Sequence, residues 1–262
     1  MQHLDGVAWG VAEGIGRIVL QRAEQANSMT FESTGALIRA IDEILDAKPR
    51  VVLLSAEGRM FCSGANIGDL VGTSSDLAGG IDAILTKLHP AVLRLANAPV
   101  PVVAAVNGPM AGAGVGLGLC ADFVLGAASM KLRTGFAAIG LSPDTGTSYF
   151  LARRVGAVRA QQWLMLNETV DAERCLQHGV IDALHPDNEL AAAAEALVTR
   201  LARSAPASLS SLKALCAGLP ARSLEEHLVL EHRLLVDCAS TAEAQEGLRA
   251  FIEKRPPRFN GK

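Results

Sequence analysis

Two stretches of this chain place small residues directly after short apolar runs, a pattern suited to gripping a negatively charged oxygen with main chain. The first is Leu54-Ser55-Ala56-Glu57-Gly58-Arg59-Met60-Phe61-Cys62-Ser63-Gly64-Ala65-Asn66, and the second is Val106-Asn107-Gly108-Pro109-Met110-Ala111-Gly112-Ala113-Gly114-Val115-Gly116-Leu117. Small side chains let a ligand approach the backbone, where free N–H groups can donate. A helix beginning near Ala113 would add the pull of its N-terminus. The plainer reading of Gly112, Gly114, Gly116 and Gly118 is close helix packing. A third stretch, Gly140-Leu141-Ser142-Pro143-Asp144-Thr145-Gly146-Thr147, carries a carboxylate close in sequence to Phe136, Ala137, Ile139 and Leu141. Apolar surroundings raise a carboxyl pKa toward the range useful for proton transfer. Local chemistry alone favours another role for Asp144, capping a helix that starts near Thr145.

Other chemistries lack their signatures. The second stretch has Leu117 where a dinucleotide-binding loop needs its third glycine, and no Gly-Lys-Ser/Thr follows to bind a nucleoside triphosphate. No GxSxG elbow supports a hydrolase triad. His3, His178, His185, His227 and His232 show no metal-ligand spacing, so no metal is expected. Glu225, Glu226 and Glu231 read as a solvated helix face, and Cys62 as packing. His89, just before Pro90, reads first as an ordinary helix residue.

The elements that must position these stretches are legible by periodicity. Val7–Val11 and Ile18–Leu20 read as strands, Leu37 to Leu45 as a helix, and Val51–Leu54 as a buried strand. A Gly/Ser loop is expected over 57–75 and a helix over 81–95. Val102–Val106, Phe123–Leu125 and Met130–Leu132 read as further strands. From about Ser148 the pattern is mostly helical, with helices over 191–201, 224–235 and 245–252. The alternation predicts an α/β core, residues 1–200, followed by a helical region, 201–262.

Composition narrows the function classes. Of 262 residues, 50% are hydrophobic, enough for a large core, and the net charge of −3 offers no basic field for nucleic acid or an anionic membrane. Aromatics at 4% argue against base-stacking surfaces. Five cysteines without CxxC spacing point to a reducing compartment, and neither a signal peptide nor a membrane span is apparent, so a cytoplasmic protein is expected.

At the two junctions the chain resembles the crotonase family, the enoyl-CoA hydratase/isomerase superfamily. Four segments carry the resemblance in order: Leu20 to Met29, Phe61-Cys62-Ser63-Gly64-Ala65-Asn66, Ala105-Val106-Asn107-Gly108 through Gly114, and Glu246 to Pro257. The resemblance implies a crotonase-like spiral of ββα units whose helical C-terminal region serves trimerisation and CoA contact, in a homotrimer or homohexamer. It implies an acyl-CoA thioester substrate, with CoA arriving as part of it and no separate cofactor. The amides of Ala65 and Ala113 would form an oxyanion hole. Gln25, Ala26, Ser63, Ala65 and Ile67 would line the CoA path, and Phe251 and Lys254 would reach its adenine and phosphate end from a neighbouring subunit. Without that resemblance Lys254 reads as a solvated helix-end lysine.

The chain departs from the family's hydratases at the acid/base positions. Their two glutamates fall at Gly116 and Phe136, neither of which carries a proton. Residues 140–147 instead resemble the G-L-x-P-D-x-G segment of family isomerases, which implies double-bond migration with Asp144 as acid/base and Phe136, Ile139 and Leu141 around the acyl group. The stretch from Asp144 to Arg153 also resembles 4-chlorobenzoyl-CoA dehalogenases, which would make Asp144 a nucleophile and His89, placed in the substrate pocket, its base. Hydration with non-standard residues, or CoA-thioester binding with little activity, remain as alternatives. The acyl group is not legible, because the pocket depends on segment 71–80, which carries no clear signal.

Overall fold

The computed structural model describes residues 1–72, 76–217 and 219–259. The chain starts with three antiparallel strands, β1 (Gln2–Leu4), β2 (Val7–Ala12) and β3 (Ile15–Leu20), joined by two-residue turns at Asp5-Gly6 and Glu13-Gly14. Helix α1 (Phe31–Asp46) follows; Thr30 opens it with a capping box closed by Ser33. Next come β4 (Val51–Ala56), α2 (Ile67–Gly72), α3 (Leu77–Ala96), β5 (Val102–Val106), β6 (Met110–Ala111), α4 (Ala113–Leu119), β7 (Phe123–Ala127) and β8 (Lys131–Arg133). The chain continues through α5 (Thr147–Val155), α6 (Ala157–Leu166), β9 (Val170–Asp171), α7 (Ala172–Gln177), β10 (Ala183–His185), α8 (Leu190–Ala202), α9 (Pro206–Ala217), α10 (Leu224–Ala239) and α11 (Ala242–Ile252).

Seven strands form one sheet in the order β1-β2-β3-β4-β5-β7-β10, parallel from β3 onward. Its central strands are apolar on both sides because both faces are covered. On β4, Val52 and Leu54 face the main core with α1 and α3, whereas Val51 and Leu53 face a second cluster with Leu190, Ala194 and Val198 of α8. A smaller layer, β6-β8-β9, is extended by bridges Cys62↔Met110 and Met29↔Ala65. The chain therefore gives each layer a strand in turn: β5 then β6 then α4, and β7 then β8 then α5. This is the expected ββα spiral.

Several expectations need correction. The stretch 57–75 is not all loop, since α2 occupies Ile67–Gly72; Thr73, Ser74 and Ser75, within the 71–80 segment, lie outside the described residues. Helix α3 begins earlier than the apolar spacing suggested because Asp76 caps it, its Oδ1 accepting the Gly79 N–H at 3.0 Å. The region after Ser148 also contains β9 and β10, too short to show periodicity, and β10 completes the large sheet beside β7. Beyond α8 the tail is lightly buried. Across α9, α10 and α11 only Ala250 is buried among the described residues, while Leu224, Leu235 and Phe251 are 73%, 71% and 83% exposed. Arg50 ties the tail's root to the core, donating to the carbonyls of Ala202 at 2.6 Å and Ser204 at 2.8 Å.

Candidate active site

The loop after β4 is stitched into the smaller layer by main-chain bonds. Phe61 N–H donates to Pro109 O (3.1 Å), Ala111 N–H to Cys62 O (2.8 Å), Ser63 N–H to Ala26 O (3.1 Å), Met29 N–H to Gly64 O (2.8 Å) and Asn66 N–H to Met29 O (2.8 Å). Ala65 N–H has no acceptor among the described residues. Ala113 is the first residue of α4, so its amide has no intrahelical acceptor. Both residues line one cavity of ≈ 340 Å³. Gly64 makes their approach possible. Its φ is +90°, and a Cβ there would lie 3.0 Å from Ala111 O and 3.3 Å from Ala113 N. The site thus presents two free amides from two loops that only a glycine can bring together.

Asp144 stands on the same cavity wall, after a 3₁₀ turn at Phe136–Ile139. It does not cap α5. Gly146 occupies the cap position and no side chain bonds there. The carboxylate instead accepts the Thr145 hydroxyl at 3.2 Å. Burial pushes the Asp144 carboxyl above its ordinary value, while the Thr145 hydroxyl pulls it partly back. The rest of the wall is largely apolar: Phe136, Ile139 and Leu141 from the stretch before Asp144, and Ile81, Ile84 and Leu85 of α3. Among the described residues no other ionisable side chain lines it. Nearby Cys62 is fully buried, which pushes its thiol up to about 11, so it packs as a neutral group.

Two preorganised amide donors, an apolar channel and one carboxylate of raised pKa can stabilise a carbonyl oxygen while a proton leaves or reaches an adjoining carbon. The sequence model of the family "Enoyl-CoA hydratase/isomerase" matches residues 10–262. The chain belongs to this family. It is 37% identical to a Rhodobacter capsulatus protein named "Probable enoyl-CoA hydratase", over 98% of each chain. It is 33% identical to the 1,2-epoxyphenylacetyl-CoA isomerase of Escherichia coli K12, covering 96% of this chain and 97% of that one. Its fold superposes on the crystal structure of an enoyl-CoA hydratase from Polaromonas sp. JS666 with a TM-score of 0.89 at 28% identity, covering 96% of this chain and 98% of that one.

Within the enoyl-CoA hydratase/isomerase family, the two positions at which hydratases are expected to carry glutamate are closed here in different ways. At Gly116 a Cβ would fall 2.2 Å from Thr145 O and 2.9 Å from Thr147 Oγ1. The backbone of the Asp144 loop already occupies that space. Phe136 is buried on the cavity wall. Gly116 is therefore required by the loop that carries Asp144, as well as lacking a glutamate.

The remaining sequence-derived candidates divide into three groups. Ser63, Ala65 and Ile67 line the cavity, and Ala26 adjoins it through its bond to Ser63 N–H, with Gln25 exposed on the neighbouring 3₁₀ turn. Phe251 and Lys254 are exposed on and just after α11 and are not on the cavity wall of this chain. His89 and Ala137 also depart from their expected places. Ala137 is exposed and absent from the wall. His89 lies on a neighbouring groove with Asp82, Leu85 and Pro90, and reaches the site only by accepting the Thr145 N–H at Nε2, 3.2 Å away.

Sequence reading missed two residues. Asn27 is 3% exposed; its Oδ1 accepts Arg22 N–H and its Nδ2 donates to the carbonyls of Glu57 and Met60, each at 2.8 Å, so it clamps the 22–27 turn to the loop after β4. The signal was an asparagine inside the first motif. Thr145 is fully buried at φ +51° and had no signal in sequence. A larger cavity of ≈ 460 Å³, walled by Pro101, Phe123, Phe150, Arg153 and Lys213 among others, contains none of these candidates. Among the described residues no cluster of three His, Cys, Asp or Glu side chains could hold a metal, and no helix is long and apolar enough to cross a membrane.

Proposed function

We propose that this protein shifts the double bond of an unsaturated acyl-CoA. The observation that carries the reading is that Asp144 is the one ionisable side chain, among the described residues, on the cavity wall that also holds the free amides of Ala65 and Ala113. The ionised carboxylate removes a proton from the α-carbon of a 3-enoyl thioester. The electron pair moves into the thioester carbonyl, and the two amides hold the resulting oxyanion. Asp144 then returns the proton to the γ-carbon, the carbonyl re-forms and a 2-enoyl thioester results. No electrons are gained or lost overall, so the step needs no redox cofactor. Hydration calls for an activated water as well as a proton donor, and the space for the first hydratase glutamate is filled by Thr145.

The CoA portion is assigned to Gln25, Ala26, Ser63 and Ile67. Phe251 and Lys254 are assigned to the adenine and phosphate end of CoA bound to a neighbouring subunit. Supporting this are their exposure here and the apolar residues left open on the tail, which suit a homotrimer or homohexamer.

The test is incubation with trans-3-hexenoyl-CoA in D₂O, followed by chromatography and mass spectrometry. 2-Hexenoyl-CoA is expected, deuterated only where Asp144 exchanges its proton with solvent before returning it, and Asp144→Asn should lower kcat by about 10²–10⁴, the range for a lost general acid–base. A product heavier by one water would make the protein a hydratase. An Asp144→Asn variant as active as wild type removes Asp144 from the chemistry, and no turnover across a panel of enoyl-CoA thioesters favours binding without catalysis.

A further inference from the structure

Thr145 holds a conformation that its side chain disfavours. It is β-branched, fully buried and at φ +51°. Such a residue persists only where its surroundings over-determine it. Three contacts do so here. Its carbonyl packs onto Gly116, where a Cβ would sit 2.2 Å away. Its hydroxyl donates to Asp144 Oδ1 at 3.2 Å. Its amide donates to His89 Nε2 at 3.2 Å. Of the three, only His89 comes from outside the α4–α5 region: it sits on α3, whose Ile81, Ile84 and Leu85 line the cavity.

We infer that His89 is a positioning residue, which fixes Thr145 through its amide and thereby aims the Asp144 carboxylate at the acyl chain. The inference rests on the reading of Asp144 as the proton carrier. To accept the Thr145 N–H, Nε2 must present its lone pair, so His89 is neutral with its proton on Nδ1. The ring is exposed and off the cavity wall. The role therefore needs an acceptor at this place and no proton transfer by the imidazole. Because α3 carries both the tether and part of the apolar cavity wall, one helix links the placement of the carboxylate to that wall.

Glutamine offers a side-chain carbonyl that can accept the same N–H, and alanine offers nothing. The experiment compares wild type, His89→Gln and His89→Ala with trans-3-hexenoyl-CoA, and measures exchange of the Thr145 amide in ¹⁵N-labelled protein. His89→Ala should lose about tenfold in kcat, with KM within about twofold, as expected when a catalytic group is displaced and the binding surface is kept. His89→Gln should recover most of that loss. The Thr145 amide should exchange faster in His89→Ala than in the other two proteins. The inference is overturned by unchanged kcat in His89→Ala, by a His89→Gln variant as impaired as His89→Ala, or by equal Thr145 exchange in all three. If wild type isomerises no enoyl-CoA, the proposed function falls on its own, and the exchange comparison still decides whether His89 holds the loop.

Discussion

The two amide-bearing loops, 62–66 and 111–113, and the carboxylate-bearing loop, 140–147, face one cavity but are built by different means. The amide loops are held almost entirely by main-chain bonds: Phe61 to Pro109, Ala111 to Cys62, Met29 to Gly64 and Asn66 to Met29. What they require is the absence of a side chain at Gly64. The carboxylate loop depends on specific side chains, Thr145 on Asp144 and His89 on Thr145, and on a glycine in another element, Gly116. The amide pair therefore depends mainly on main chain, while the placement of Asp144 depends on a few side chains.

Gly64→Ala strikes the first region hardest. The alanine would have to hold φ +90° and press its methyl toward Ala111 O and Ala113 N, which spreads the two amides. Loss of about 10²–10³ in kcat is expected, the size of losing one oxyanion donor. Steady-state kinetics check it, and a variant with wild-type kcat would mean that the amide pair does not hold the reacting oxygen. Gly116→Ala strikes the second region. Its methyl collides with backbone, not with a flexible side-chain end, so destabilisation of about 1–3 kcal/mol is expected from overpacking, read by urea unfolding. Unchanged stability would show that the Asp144 loop can move away from α4, and the contrast between the regions would weaken.

The smallest effect expected is a pH dependence confined to the second region. Burial raises the Asp144 carboxyl above its ordinary 3.8. A group whose pKa is higher folded than unfolded contributes stability below the unfolded value and loses it as pH rises through the folded one. Relative to wild type, Asp144→Asn should thus gain stability as the pH rises from below 3.8 through the raised pKa, then level off. Paired urea titrations across that window check the sign; a difference that is flat or runs the other way would mean the carboxyl is not raised. The activity of wild type should rise over the same window as Asp144 ionises.

How much of this was legible beforehand follows from where each signal lives. The parallel strands β4 and β5 announced themselves because burial on two faces leaves continuous apolar runs. Strands β9 and β10, of two and three residues, are shorter than any periodicity and were set by pairing with β8 and β7. Ile81, Ile84 and Leu85 were visible as a helical stripe, but a stripe facing a cavity has the same spacing as one facing the core. Asp144 was visible as a lone carboxylate in an apolar neighbourhood, and only the Gly146 cap position removed the competing role at the helix start.

The sequence by itself determined the family, the alternation of strands and helices, the two small-residue loops and the one carboxylate, because these depend on local composition and on spacing along the chain. The tertiary structure decided that Ala65 and Ala113 share a cavity, that Gly116 is filled by the backbone of Thr145, and that His89 meets the site through an amide and not along the wall. Those facts arise from contacts between residues 29 to 56 positions apart, and no local pattern encodes such a distance.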